Sequence, residues 1–313
     1  MNKPGYKKYW LILLAPIVAE LLSGSTPFTT FIKLPILLTY AGFYGCGALI
    51  IREIVAHKKM SYINILLWGA AFGVLEEGIL LKSWYDPTWM GAAITSQAIR
   101  FSGVSVLQPF ANIVYHAIIS ITVPILLIES FSGERKPWLS KKGLVLSSLF
   151  FVAAASVMGL TFNQNYQVSA KHYLFSILIL IVFIVAANIR FSVPDGGINR
   201  PGGRLWLIGS LFIPLQFFVF YGLAPRNVSW IVILSLAILL YTIYAIIYWR
   251  TDWKKQARKL VFASAAGFIT GLLPAVAIAS RQESAKTINL IIGMVVVLVL
   301  IVLYRRTMLQ PDN

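Results

Sequence analysis

The sequence predicts an all-α polytopic membrane protein, a transmembrane bundle of about ten helices with both termini in the cytoplasm. Three observations predict this fold class. Hydrophobic residues make up 58% of the 313 residues, charged residues only 12%, and the mean hydropathy is +0.77. Apolar stretches of spanning length recur along the whole chain. The loops between them alternate between many and few basic residues.

The apolar stretches give ten candidate helices, because a helix needs about 20 apolar residues to cross the hydrocarbon core. They cover residues 9–23, 35–56, 62–82, 104–130, 143–162, 172–190, 204–224, 229–249, 259–279 and 288–304. The first is short and follows three lysines, as a signal peptide would. We interpret it as a retained helix, since further spans follow.

The basic residues predict the orientation of the bundle, because cytoplasmic loops carry the excess of lysine and arginine. With a cytoplasmic N-terminus, twenty of the 27 basic residues fall on the cytoplasmic side. The other seven are Lys33, Lys82, Arg100, Lys171, Arg226, Arg281 and Lys286. The net charge of +16 therefore reflects membrane topology, and we expect the lipid bilayer of the cell membrane, not nucleic acid, as the partner.

A Gly/Pro-rich segment at residues 194–203 predicts a cytoplasmic linker between two membrane units. Residues 1–193 form the predicted six-helix unit, which carries the polar intramembrane residues. Residues 204–313 form a four-helix unit that is nearly free of them. The single cysteine, Cys46, excludes a disulfide framework.

Glu76 and Glu77 lie side by side near the end of the third predicted span. A carboxylate at a helix centre costs about 2.5–3.5 kcal/mol on insertion scales, so the pair predicts a functional site. Gly69 and Gly73 precede the pair at a spacing that allows a neighbouring helix to approach closely. We therefore expect both carboxyl groups inside the protein, one as proton donor and one as acceptor.

The fourth predicted span carries His116 near its middle, with Asn112 one turn before it and Ser120 one turn after it. These three residues share one helix face. Opposite two carboxylates, His116 is a candidate metal ligand or proton-transfer group, and a packing role is the alternative. His172 opens the sixth span and is a candidate second metal ligand, or else an interfacial histidine.

Glu20 lies in the first span at the same predicted depth as Glu76. Together with Asn112, we regard Glu20 and Lys82 as candidate supporting residues of the site. A structural ion pair between one of these glutamates and Lys33 or Lys82 is the alternative interpretation.

At the opposite membrane surface, the inner helix ends carry Arg52, Glu53 and Glu129. Opposite charges at the ends of two spans predict an ion-pair cluster that fastens the second span to the fourth. We expect this cluster to be structural.

The run Phe72-Gly73-Val74-Leu75-Glu76-Glu77-Gly78-Ile79-Leu80-Leu81-Lys82 resembles the first motif of the CPBP (Abi/CAAX-prenyl-protease-like) intramembrane protease family. The family's arginine corresponds to Leu81, with Lys82 next to it. The resemblance covers about residues 62–190 and implies that Glu76 and Glu77, then His116, then His172 activate a water for peptide hydrolysis in the membrane. It also implies a metal, zinc or another divalent ion.

Three functions follow from these residues as alternatives. The first is an intramembrane metal-dependent hydrolase acting on a membrane peptide, with Glu76, Glu77 and His116 as catalytic residues. The second is a proton- or cation-coupled transporter, in which Glu20, Glu76, Glu77 and His116 form a path. The third is a non-catalytic membrane scaffold, in which the acids serve helix association.

Overall fold

The computed structural model describes residues 6–89, 100–131, 135–162, 166–191, 197–226, 228–253 and 257–308. This part of the chain contains nine helices that are long and apolar enough to cross a membrane. A shorter helix, α1, precedes them and comprises Lys7–Pro16 and Ile17–Leu21. The nine are α2 Leu34–His57, α3 Tyr62–Leu80, α4 Gln108–Ser130, α5 Lys141–Thr161, α6 Ala170–Ala187, α7 Gly202–Arg226, α8 Trp230–Trp249, α9 Ala257–Gln282 and α10 Ser284–Arg306.

These helices confirm the predicted all-α polytopic bundle, and each matches one predicted span to within a few residues. The first predicted span corresponds to α1, which ends at Leu21. This helix is shorter than the about 20 residues that a helix needs to cross the hydrocarbon core. Polar turn residues follow it, and the short helix Phe28–Phe31 leads into α2. The predicted cytoplasmic placement of both termini stays a prediction.

The helices divide into a central set and a peripheral set, according to how much of each helix is buried inside the protein. In α2, α3 and α4, 61% of the apolar window is buried inside the protein, and in α9 67% is buried. The corresponding values are 11% for α5 and α6, and 17% for α8 and α10. Leucine, isoleucine and valine side chains cover the exposed faces of this peripheral set. Such faces are suited to contact with lipid. Polar groups within the membrane therefore have to lie on the central helices, where protein surrounds them.

Helices α3 and α4 approach closely through glycine, as the sequence predicted. A Cβ atom on Gly69 would lie 2.9 Å from the Cα atom and the carbonyl oxygen of Ala117. A Cβ atom on Gly73 would lie 2.9 Å from the Cβ atom of His116. Because both glycines face α4, the helix with the carboxyl pair packs directly against the helix with the histidine.

The predicted ion-pair cluster at the inner helix ends is confirmed. Arg52 Nη1 lies 2.6 Å from Glu53 Oε1, and Arg52 Nε lies 3.1 Å from Glu129 Oε1. Arg135 extends the cluster, with its Nε atom 2.8 Å from Glu129 Oε2. Arg52 and Glu53 are fully buried, and the backbone N–H of Trp138 donates to Glu53. The cluster therefore joins α2 to α4 and to the segment before α5.

The predicted division into two membrane units stays a prediction, and residues 194–196 of the predicted linker lie outside the described residues. One hydrophobic core cluster contains Val18 and Ile119 from the first unit together with Phe212 and Phe262 from the second. The buried side chain of Asn289 on α10 donates to the backbone carbonyls of Leu21, the last residue of α1, and of Thr26, and it accepts from the N–H of Phe28. The two predicted units thus share a packed interface.

The C-terminal end of α3 leads into a buried turn. Ser83, Trp84 and Tyr85 are almost completely buried there. A small hairpin, β1 Arg100–Phe101 and β2 Val104–Ser105, precedes α4. Residues 90–99, between this turn and the hairpin, lie outside the described residues.

Candidate functional site

The polar residues of four helices meet at one depth, and each comes from a turn of π-helix. These turns are Ile17–Leu21 in α1, Ala41–Gly45 in α2, Val74–Leu80 in α3 and His116–Thr122 in α4. They carry, in the same order, Glu20, Tyr44, the Glu76–Glu77 pair and His116. A π-turn changes which side chains point inward, and such turns occur frequently at functional sites. The occurrence of such turns at one depth in four adjacent helices indicates that this region is a functional site.

The centre of the site is His116, which lies between two carboxyl groups. Its Nδ1 atom lies 3.0 Å from Glu76 Oε2, and its Nε2 atom lies 3.0 Å from Glu77 Oε1. All three side chains are buried, with exposures of 7% for His116, 1% for Glu76 and 9% for Glu77. The three residues therefore form a compact buried unit, with one carboxyl group at each ring nitrogen.

The three residues also have the composition of a metal site. Each offers one ligand atom, and these atoms lie within 4.8 Å of one another. The hydrogen bond of His116 Nδ1 is made with Ser120 Oγ at 3.0 Å. The 3.0 Å approach of His116 Nδ1 to Glu76 Oε2 is an ion-pair contact, and this buried oxygen makes no hydrogen bond among the described residues. A buried carboxylate oxygen without a hydrogen bond is costly, and a bound cation would satisfy it.

Tyr44 connects the centre to Glu20. Its hydroxyl lies 2.5 Å from Glu20 Oε1 and also makes a short hydrogen bond with Glu76 Oε1. A phenol hydroxyl has one proton, so it can donate to only one of these two acceptors. Both bonds can form at once only if one of Glu20 and Glu76 is protonated and donates to the phenol oxygen.

Glu20 is held by hydroxyl groups on both oxygens. Thr26 Oγ1 donates to Glu20 Oε2 at 2.6 Å, and Tyr40 OH lies 3.0 Å from Thr26 Oγ1. Glu20 is thus a member of the site rather than a partner of the basic residues at the membrane surface.

The other predicted supporting residues lie around Glu77. Ser83 Oγ makes a short hydrogen bond to Glu77 Oε2, and Asn112 Nδ2 lies 3.4 Å from Ser83 Oγ. Asn112 therefore contacts the site through Ser83. The Nζ atom of Lys82 donates to the backbone carbonyl of Tyr166 at 3.2 Å. Lys82 thus holds the chain before α6 against the outer end of α3.

The structure does not bring His172 to His116. The ring of His172 stacks on Tyr85, with 4.7 Å between the ring centroids. Its Nε2 atom lies 2.8 Å from the carbonyl oxygen of Ser102, and its Nδ1 atom lies 3.0 Å from Ser169 Oγ. Both ring nitrogens are thus used at the outer turn and the hairpin.

His172 does not reach His116 because α6 packs against α3 through Ser176. Ser176 Oγ donates to the carbonyl of Gly78 at 3.0 Å, and Gly78 leaves room for it. His172 lies one turn closer to the outer end of α6, at the depth of the loop. The ligand set of this structure therefore contains one histidine, where the sequence suggested two.

Tyr44, Thr26 and Ser83 are site residues that the sequence reasoning missed. A signal for Tyr44 was available, because Tyr40 and Tyr44 lie in the middle of a span, whereas tyrosine is enriched at membrane interfaces. No comparable signal distinguishes Thr26 or Ser83 from ordinary loop residues.

A family model described as an uncharacterised membrane protein family matches residues 10–311. No curated protein and no solved structure matches the chain. The family match does not extend to the CPBP proteases, so that resemblance stays a prediction. Because the match covers nearly the whole length, the chain belongs to this uncharacterised membrane protein family.

Proposed function

We propose that the protein is a metal-dependent hydrolase of the cell membrane, with a divalent ion held by Glu76, Glu77 and His116. The observation that carries the proposal is the convergence of three ligand atoms within 4.8 Å, at a buried residue, Glu76, whose Oε2 atom makes no hydrogen bond among the described residues. Three protein ligands leave a coordination position open, which is the arrangement of catalytic rather than structural zinc sites.

The charges of the donor set fit a divalent ion. Two carboxylates and a neutral imidazole carry a charge of −2, which a divalent cation neutralises, and a neutral group is the least costly one at membrane depth. Oxygen and imidazole nitrogen donors suit zinc, manganese and iron. When bound, such an ion would polarise a carbonyl and acidify a water at neutral pH.

The chain's own residues would position these ligands and hold protons. Ser120 fixes the ring of His116, and Ser83 fixes the carboxylate of Glu77. If Glu76 binds the ion as a carboxylate, the shared proton of the Tyr44 network belongs to Glu20. Glu20 is then a neutral acid next to the site, able to return a proton through the Tyr44 hydroxyl.

The substrate we propose is a peptide bond of a membrane-embedded chain. The site lies within four helices of the bundle, near the predicted outer ends of α3 and α2. The CPBP-like run around Glu76 and Glu77 supports a peptide rather than another acyl compound.

The experiment begins with metal content after stripping and reloading with zinc or manganese. We expect one ion per wild-type chain, and loss of that ion in Glu77→Gln and in His116→Ala. His172→Ala is the matched histidine control, and Glu283→Gln is the matched acid control from a half-exposed loop pair. Both controls should retain the ion. Absence of metal from folded wild-type protein would contradict the proposal.

Activity is then measured in proteoliposomes with quenched fluorescent membrane-spanning peptides. We expect cleavage that requires the metal and that is lost in Glu77→Gln, because this variant loses a ligand of the ion that activates the water. Cleavage that continues unchanged in Glu77→Gln would contradict the hydrolase assignment.

A second candidate function is proton-coupled transport, and one observation favours it. Hydrogen bonds or ion pairs connect Tyr40, Thr26, Glu20, Tyr44, Glu76, His116, Glu77, Ser83 and Asn112 in one series. Such a series can pass a proton without a metal. Proton uptake by reconstituted vesicles that is lost in Glu77→Gln, without bound metal, would favour this function over hydrolysis.

A further inference from the structure

Helices α2, α3, α5 and α6 enclose a cavity of about 190 Å³ that is partly open at the protein surface. Its lining is apolar throughout and includes Ile54, Trp68, Leu75, Phe151, Leu180 and Ile184. A cavity with such a lining does not hold water, so its occupant is apolar.

The cavity is separate from the candidate metal site. Phe72 lies between them, with its ring centroid 6.5 Å from that of His116 and 5.8 Å from that of Tyr44. Phe72 also lines the cavity. The cavity is therefore not part of the candidate metal site.

Basic residues lie at one end of the cavity. Ile54 and Ile184 are each one helical turn from the ends of α2 and α6, where Lys58 Nζ donates to Asn188 Oδ1 at 2.5 Å. Lys58, Lys59 and Arg190 are all exposed at this end. An apolar cavity with positive charge at its end matches a molecule with an apolar chain and an anionic head.

We propose that the cavity binds one acyl chain of an anionic phospholipid, whose phosphate lies against Lys58, Lys59 and Arg190. The hydrophobic effect does not favour this chain over any other, because lipid tails are as apolar as the lining. The selectivity must come from the charges. These residues lie on the predicted cytoplasmic side, where anionic lipids are concentrated.

The experiment uses Trp68 as a reporter inside the cavity. The full-length protein is reconstituted in phosphatidylcholine vesicles that contain a brominated-chain lipid, either phosphatidylglycerol or phosphatidylcholine, at equal mole fractions. Because the chain has nine tryptophans, the Trp68 signal is the emission of wild type minus that of Trp68→Phe. We expect half-maximal quenching at an at least about fivefold lower mole fraction of the phosphatidylglycerol, the effect of one basic residue near an anionic lipid.

Two pairs of variants test binding of the lipid headgroup and binding of the acyl chain separately. Arg190→Gln should reduce the preference about fivefold, whereas Lys171→Gln, at the opposite membrane surface, should not change it. Leu180→Phe places a larger side chain in the cavity and should remove the preferential quenching. Its control is Leu178→Phe, on the same helix at a position that is 54% exposed.

Equal quenching of Trp68 by the two lipids would mean ordinary contact with the bilayer and would overturn the proposal. Quenching by neither lipid would indicate a polypeptide occupant and would overturn it as well. A preference for phosphatidylglycerol that persists in Leu180→Phe would place the lipid outside the cavity, which also contradicts the assignment.

Discussion

Alanine at residue 69 should separate α3 from α4. A Cβ atom there would lie 2.9 Å from two backbone atoms of Ala117, whereas ordinary contacts begin at 3.4 Å. Backbone atoms cannot rotate away, so the helices must move apart by about the 0.5 Å difference between these two distances. Overpacking of this kind costs about 1–3 kcal/mol. Alanine regains up to about 1 kcal/mol of helix propensity relative to glycine.

We therefore expect Gly69→Ala to lower the free energy of unfolding by about 1–2 kcal/mol. Gly159→Ala in α5 is the matched control. A Cβ atom at residue 159 would meet only the end of the Leu80 side chain, at 3.3 Å, and that side chain can move. The control should be neutral or stabilised by up to about 1 kcal/mol.

The same displacement should weaken metal binding, because His116 is next to Ala117 and ligands must be held to within about 0.5 Å. We expect a loss of affinity of about tenfold in Gly69→Ala and none in Gly159→Ala. Unfolding in mixed micelles and a metal titration measure the two effects. If the two alanine variants were equally stable and bound metal equally well, the close contact between α3 and α4 would be refuted.

Three further predictions concern buried polar groups, each measured by unfolding in mixed micelles. Tyr44→Phe removes a hydroxyl shared by two carboxyl groups and should cost about 2–3 kcal/mol, against about 1 kcal/mol for Tyr40→Phe; equal costs would contradict the shared proton. Asn289→Ala removes three hydrogen bonds to Leu21, Thr26 and Phe28 and should cost about 2–3 kcal/mol, and a neutral result would count against that interface. Glu129→Gln leaves two arginines with one partner fewer and should cost about 3–5 kcal/mol, far more than the surface change Glu283→Gln.

The spans and one helix contact could be predicted from the sequence. A run of apolar residues has a length that can be compared directly with the membrane thickness, so the helices agree closely with their predicted bounds. The Gly69 and Gly73 spacing predicted a close neighbour for α3, which the structure identifies as α4. Arg52, Glu53 and Glu129 could be paired in advance because opposite charges at the same membrane surface have few other partners.

The inner arrangement of the site could not be predicted in the same way. Whether a helix forms a π-turn depends on its neighbours, so the four turns around Glu20, Tyr44, Glu76 and His116 have no clear sequence signal. The order of His116 and His172 along the chain does not fix their depths. Ser176 rather than His172 packs against α3, and this difference of one helical turn reduces the site to one histidine.

The most direct test of the central claim is the X-ray absorption spectrum of the zinc-loaded or manganese-loaded protein. We expect one ion per chain with oxygen and nitrogen ligands, and scattering from a single imidazole that disappears in His116→Ala but not in His172→Ala. A spectrum with two imidazoles, or a folded wild-type protein that binds no stoichiometric ion, would contradict the proposed site.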